Sequence, residues 1–173
     1  MYAGTGVGRK LMPLDPADEN PQKHDLRLSN DLRLSNDLRL SNDPGGLSAE
    51  ALGFLAERHL GTLTTIRSNG SPHVVPVGFS FEAGTFTVRV ICSEGGQKVR
   101  NVGGGSRAVV CQIDGARWLS LEGTAIISRD PVEISDAEAR YAERYQTPRP
   151  NAQRVVLFIA VDRILGRAHS RST

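Results

Sequence analysis

TFTVRVICSEGGQKVRNV, residues 85–102, changes its period in the middle. Phe86, Val88 and Val90 alternate with Thr87, Arg89 and Ile91, the period of two that marks a strand with one face buried. Ser93-Glu94-Gly95-Gly96 breaks the run, and Gln97–Val102 reads as a short helix that Gly103-Gly104-Gly105 stops. A strand therefore runs through a glycine turn into a helix, and its neighbours decide what that unit belongs to.

Outward from this stretch the pattern is mostly strands. Upstream, Thr62–Arg67 and His73–Phe81 flank Ser68-Asn69-Gly70-Ser71, a hairpin signal. Downstream, Ala108–Ile113 and Trp118–Ser128 flank Asp114-Gly115, and Val155–Leu165 is the last apolar run. Two further helices are expected. The first starts at Ser48, an N-cap with Glu50 in its first turn, has Leu47 and Leu52 placed as a staple, and stops at Gly61. The second opens at Asp130-Pro131 and runs to about Tyr145, before Thr147-Pro148-Arg149-Pro150 forbids regular structure. About six strands in a meander with helices outside them close best as a small barrel, so the fold class is mainly β with flanking helices.

Residues 1–46 do not share this pattern. Three consecutive copies of DLRLSN occupy 25–30, 31–36 and 37–42, and Pro44-Gly45-Gly46 follows. Six leucines in three hexads cannot offset the entropy of ordering them, so 1–46 is expected to be a disordered tail and 47–173 the folded domain. The net charge of +2 divides as −1 on the tail and +3 on the domain, which does not suggest a nucleic-acid partner. No run reaches the roughly 18 apolar residues of a membrane span, and no apolar leader is present, which points to the cytoplasm. Cys92 and Cys111 form no C-x-x-C pair, so no metal site is expected and both are read as reduced thiols.

Four segments carry candidate chemistry. In 89–101, Arg89 precedes the glycine turn and Lys98 follows it, with Asn101 one helical turn further on. Backbone N–H groups with an ammonium suit a phosphate or carboxylate, and equally a solvated turn. In 71–81, Pro76 removes a ladder donor, which predicts an edge strand or a ligand-facing one. In 111–123, Gln112, Arg117 and Trp118 are placed to frame an aromatic ligand or to pack. In 144–151, Arg144, Tyr145 and Arg149 stand where a helix gives way to a rigid loop. No triad, nucleophile elbow or paired catalytic carboxylates appear, so no catalytic side chain is assigned. That pattern fits an enzyme whose cofactor performs the reaction.

These segments, in this order, resemble the flavin/deazaflavin oxidoreductases, whose domain is the pyridoxamine-phosphate-oxidase-like split β-barrel. The resemblance runs from Leu47 to Gly166 on FLAERHL (54–60), SPHVV (71–75), VGF (77–79), GQK (96–98), CQIDGARWLSLEG (111–123), the arginines and tyrosines of 140–145, and TPRPN (147–151). It is strongest toward the deazaflavin-dependent, biliverdin-reducing members. It implies coenzyme F420, with a phosphate and a polyglutamate tail, held at the seam of a homodimer. Lys98 and Arg89 would hold its anionic groups, with Ser93, Gln97 and Asn101 completing the cradle. The backbone of His73, Val74, Val75 and Pro76 would lie along the deazaflavin ring, with Gln112 and Trp118 near ring or substrate. Arg117, Arg144 and Arg149 would meet the propionates of a tetrapyrrole substrate. The implied reaction is hydride transfer to a conjugated small molecule, biliverdin to bilirubin. An FMN-dependent oxidase or reductase, and a non-enzymatic tetrapyrrole or flavin carrier, remain open alternatives.

Overall fold

The computed structural model describes residues 39–40 and 47–168. Within them the chain forms β1 (Arg39–Leu40), α1 (Ala49–Ala56), β2 (Gly61–Ile66), β3 (Pro72–Val77), β4 (Ser80–Glu82), β5 (Thr87–Ser93), α2 (Gln97–Val102), β6 (Ser106–Asp114), β7 (Arg117–Ser128), α3 (Pro131–Arg144) and β8 (Arg154–Arg167). The strands make one antiparallel sheet in the order β3-β2-β6-β7-β8-β5-β4, with β1 on β8. β3 and β4 end the sheet on opposite sides although only two residues separate them. The sheet thus curls until its edges approach without pairing, a split barrel. Apart from β1, the 1–46 stretch lies outside the described residues.

The predicted caps hold. Ser48 Oγ accepts from the Ala51 N–H at 3.2 Å, and Asp130 accepts from the Val132 and Glu133 N–H groups. Helix α1 ends at Ala56, five residues before Gly61, because Glu57 is already extended. Leu52 stays 37 % exposed, while Leu47 packs against the core. The expected return strand 73–81 divides at Gly78-Phe79 into β3 and β4, for a reason that lies on α3 and is described below.

The core fills the barrel. Leu63, Phe79, Val88, Val110, Leu119, Leu121, Leu157 and Ile159 are fully buried and come from five strands and the β3–β4 link. Burial of each such side chain contributes about 1.5–3 kcal/mol. β7 and β8 form the longest pairing, broken by a bulge between Glu122 and Gly123. A Cβ on Gly123 would collide with the Ala160 carbonyl, so the two strands approach there only because the side chain is absent.

The outer face of β3, β2, β6 and the start of β7 is apolar. Ile66, Val74 and Ile113 are 43 %, 55 % and 58 % exposed. Register sets Pro76 beside Thr62 and Cys111, and Ile113 beside Trp118, on that same face.

Candidate functional site

A cleft of about 420 Å³ opens where the barrel is split. Pro76, Val77 and Gly78 form one wall, Ile91 and Arg154 the floor strands, Lys98 the α2 side, and Tyr141, Gln146, Pro148 and Arg149 the wall of α3 and its following loop. Lys98 has no ion-pair or hydrogen-bond partner among the described residues, and neither does the Arg149 guanidinium. Arg154 donates to Glu138 and to the Arg149 carbonyl, both at 2.7 Å, which ties the loop to the floor. Three cations against one carboxylate leave the cleft positive.

The backbone of β3 adds a directional element. Arg67 N–H donates to Ser71 O, which makes 67 and 71 a hydrogen-bonded pair of the hairpin. Such pairs alternate along an antiparallel ladder. Thr65–His73, Leu63–Val75 and Gly61–Val77 are therefore bonded, while the backbone groups of Pro72, Val74 and Pro76 point to the free edge. The prolines have no N–H. The Pro72 carbonyl accepts from Arg67 Nη1 at 2.6 Å. The free edge thus offers one N–H, that of Val74, beside the carbonyls of Val74 and Pro76. It ends at the cleft wall.

Tyr141 closes that wall. A Cβ on Gly78 would stand 2.6 Å from Tyr141 Cε2, so only glycine lets the ring lie against the strand. Tyr145 accepts from the Phe79 N–H at 3.2 Å and donates to His59 O at 2.6 Å, and its burial raises its pKa. Phe79 therefore gives its N–H to a helix rather than to a strand, which bends the chain between β3 and β4.

Several residues singled out in the sequence lie elsewhere. Arg89 shares a β5 face with Ile91 but sits under α3, its Nη2 2.6 Å from Glu82 Oε2 and its Nε 3.3 Å from Asp136 Oδ2, over the Phe158 ring. Its charge is neutralised within the chain, and Arg154, which periodicity did not mark, takes its place in the cleft. Gln112 is fully buried, donating to Phe54 O and accepting from Arg144. Arg144 donates to Glu57 O, Phe79 O and Gln112 Oε1 and lies over the Phe79 ring; burial lowers its pKa, and it makes no ion pair among the described residues. Arg117 bridges Glu57 and Asp114, whose hydrogen bonds raise its pKa. Both arginines are braces in this chain, since the groups that would meet a propionate are already bonded. Trp118 is on the outer sheet face, away from the cleft lining.

The α2 polar residues form a chain of their own. Arg100 donates to Gln97, Gln97 to Asn101, Asn101 to the fully buried Thr65, and Thr65 stands 3.5 Å from His73 Nδ1. Gln97 and Asn101 thereby fasten α2 to β2 and β3, while Lys98 on the same helix faces the cleft. Ser93 is exposed at the end of β5, opposite Arg154, and its carbonyl closes the turn by accepting from Gly96. Glu94, adverse beside an anion site, is held by Arg129 at 2.6 Å. Glu57, His59 and Asp114 approach one another, but the Arg117 guanidinium occupies their oxygens. Cys92 and Cys111 are free thiols, and burial pushes Cys92 up to about 11, which makes it inert at neutral pH.

A split barrel with a positive cleft where its sheet opens defines a protein of the cofactor-binding split-barrel class. The chain belongs to the pyridoxamine 5'-phosphate oxidase family, whose profile matches residues 47–168. Over 122 residues it is 54 % identical to the F420H(2)-dependent biliverdin reductase of Mycobacterium tuberculosis (strain CDC 1551 / Oshkosh), covering 70 % of this chain and 89 % of that protein. Among solved structures it resembles an F420 reductase, with 24 % identity, TM-score 0.53 and coverage of 65 % and 93 %. It also resembles the heme storage protein HutZ of Vibrio cholerae, with 17 % identity, TM-score 0.57 and coverage of 69 % and 94 %. These structural likenesses concern the fold.

Proposed function

We propose that this protein is a coenzyme F420-dependent reductase acting on a conjugated tetrapyrrole, biliverdin to bilirubin. One observation carries the reading: the unpartnered Lys98 and Arg149 stand in a cleft at whose rim the β3 edge offers a single N–H and two carbonyls. The donor set fits the coenzyme. Its phosphate and glutamate carboxylates need cations without partners, and an imide carbonyl and the imide N–H of its ring pair with a strand N–H and a strand carbonyl side by side, as Val74 presents them. Reduced and bound, it supplies a hydride to the substrate. Lys98, Arg149 and Arg154 hold the anionic groups, Val74 and Pro76 orient the ring, and Tyr141 with Pro148 walls the cleft from water. The 54 % identity to a biliverdin reductase supports the substrate.

The working form we propose is a cytoplasmic homodimer. The apolar outer face bearing Ile66, Val74 and Ile113 meets its copy, and the cleft lies at the rim of that face. Trp118 lies on that face and reaches a cofactor only across such a seam. The unpaired thiols suit a reducing compartment.

Titration of reduced F420 and of FMN, each followed by Trp118 fluorescence, tests the cofactor, and the fall of biliverdin absorbance with F420 oxidation tests the reaction. Tight binding of FMN without F420 makes the protein a flavoenzyme. F420 binding that no tetrapyrrole discharges makes it a carrier. Sedimentation of Ile113→Asp, expected to be a monomer, tests the dimer.

A further inference from the structure

The half of β8 from Asp162 to Arg167 is an edge with its own occupant. β5 stops pairing at Ala160, and the last bond on that side is Val161 N–H to Phe86 O at 2.8 Å. Beyond it β8 keeps β7 on one side. On the other, among the described residues, only Arg39 and Leu40 pair with it, opposite Leu165 and Ile164. An uncovered strand edge presents N–H and C=O groups to any extended segment that can reach it.

Arg39-Leu40 belongs to the third DLRLSN hexad, and hexads 25–30 and 31–36 repeat it without a change. Their composition suits the role. Leucine alternates with a polar residue through Asp-Leu-Arg-Leu-Ser, the period of a strand with one apolar face. No proline or glycine interrupts a hexad. Whatever lets one copy pair with β8 is present in all three.

We propose that the Asp162–Arg167 edge of β8 is a strand-docking site for the DLRLSN hexad of this chain, and that any one copy suffices. The repeat is then a tethered, redundant cover for an edge that would otherwise be open to other chains. It acts on assembly and not on the cleft.

Amide hydrogen exchange tests this on the full chain, on a deletion of 25–36 that leaves one hexad, and on a deletion of 25–42 that leaves none. The first two are expected to protect the Asp162–Arg167 amides that face away from β7 equally. The third is expected to exchange them about tenfold faster, with Arg154–Ala160 unchanged as internal reference. A millimolar DLRLSNDLRLSN peptide is expected to restore the protection. Equal exchange in all three chains, loss of protection with one hexad left, or no response to the peptide each overturns the proposal. Should the long deletion also expose Arg154–Ala160, the Leu28→Pro/Leu34→Pro/Leu40→Pro chain replaces it, with the same expectation.

Discussion

Arg144 donates from Nη2 to the side-chain oxygen of Gln112 at 2.7 Å, and Gln112 in turn donates to Phe54 O at 2.6 Å. This chain of bonds pins the end of α3 to α1 through the barrel interior. Both side chains bond only neutral groups, so their worth is in satisfying buried carbonyls. Gln112→Leu leaves the Phe54 carbonyl only the long 3.3 Å bond from Glu57 N–H, strands one Arg144 donor, and is expected to cost about 2–3 kcal/mol. Arg144→Met strands the Phe79 carbonyl and Gln112 Oε1, while Glu57 O keeps the His59 N–H, and it is expected to cost at least as much, about 3 kcal/mol. Urea unfolding measures both, and cofactor affinity in Gln112→Leu at low denaturant should change by less than about threefold.

Lys98 is the opposite case, a cation with no hydrogen-bond or ion-pair partner among the described residues. Lys98→Ala is expected to leave the melting temperature unchanged and to weaken F420 binding by about 1.5–3 kcal/mol, the scale of a charge-assisted hydrogen bond. The loss should shrink as salt rises, because the contact is partly solvated. A dissociation constant equal to that of the parent chain at low salt would remove Lys98 from the site.

Arg89 was legible as a functional residue for a reason that misled. Strand alternation puts it on the face away from the core, which is correct, but not what covers that face. Helix α3 does, and brings Asp136. The strands, both N-caps and the edge position of Pro76 were readable because each is set by residues within a few positions. The bend at Gly78, the braces at Gln112 and Arg144, and Arg154 in the cleft depend on which helix packs where, and spacing carries no record of that. The Val74 donor lies between: two prolines at even spacing already imply it, once the strand is known to be an edge.

Glu82 has its pKa lowered, first by the hydrogen bond from Arg89, then by Thr85. A carboxylate depressed in the folded state contributes stability above its unfolded value, and that contribution fades as pH falls through the folded one. The parent chain is therefore expected to lose stability on acidification below about 4.5, the ordinary carboxyl value. Arg89→Met should flatten that slope. At neutral pH it should cost only about 1–2 kcal/mol, because Arg89 Nη1 is already buried without an acceptor. F420 affinity should stay within about twofold, since the charge faces Glu82 and not the cleft. Stability curves at pH 7 and pH 4 measure the first two, and a titration the third.

Gly78 tests the aromatic wall. Gly78→Ala sets a Cβ 2.6 Å from Tyr141 Cε2 and 3.2 Å from Tyr145 Cε2. The rings must shift, at a cost of about 1–3 kcal/mol. The cleft should narrow as they do, raising the dissociation constant for F420. Removing the obstructing ring restores room, so Tyr141→Ala added to Gly78→Ala should destabilise by less than the two changes summed. A double-mutant cycle on unfolding free energy measures that coupling; strict additivity would mean that the wall yields without strain.

Val74 and Val75 are adjacent on β3 yet face different partners through their backbones. Val75 belongs to a bonded pair with Leu63, whereas Val74 N–H points to the free edge between two prolines. Proline at each position separates the fold from the site. Val75→Pro removes a ladder bond inside the β2–β3 hairpin and should cost about 3 kcal/mol or more, visible as a fall in melting temperature. Val74→Pro removes no ladder bond and continues the Pro72, Pro76 series, so its stability should change by less than about 1 kcal/mol. It does remove the one N–H with which β3 addresses a planar ligand, and F420 affinity should fall at least about tenfold, the worth of one backbone hydrogen bond in a partly dry site. If Val74→Pro binds the coenzyme like the parent chain, the ring does not lie on this edge, and Lys98 and Arg149 serve an anion held by other means.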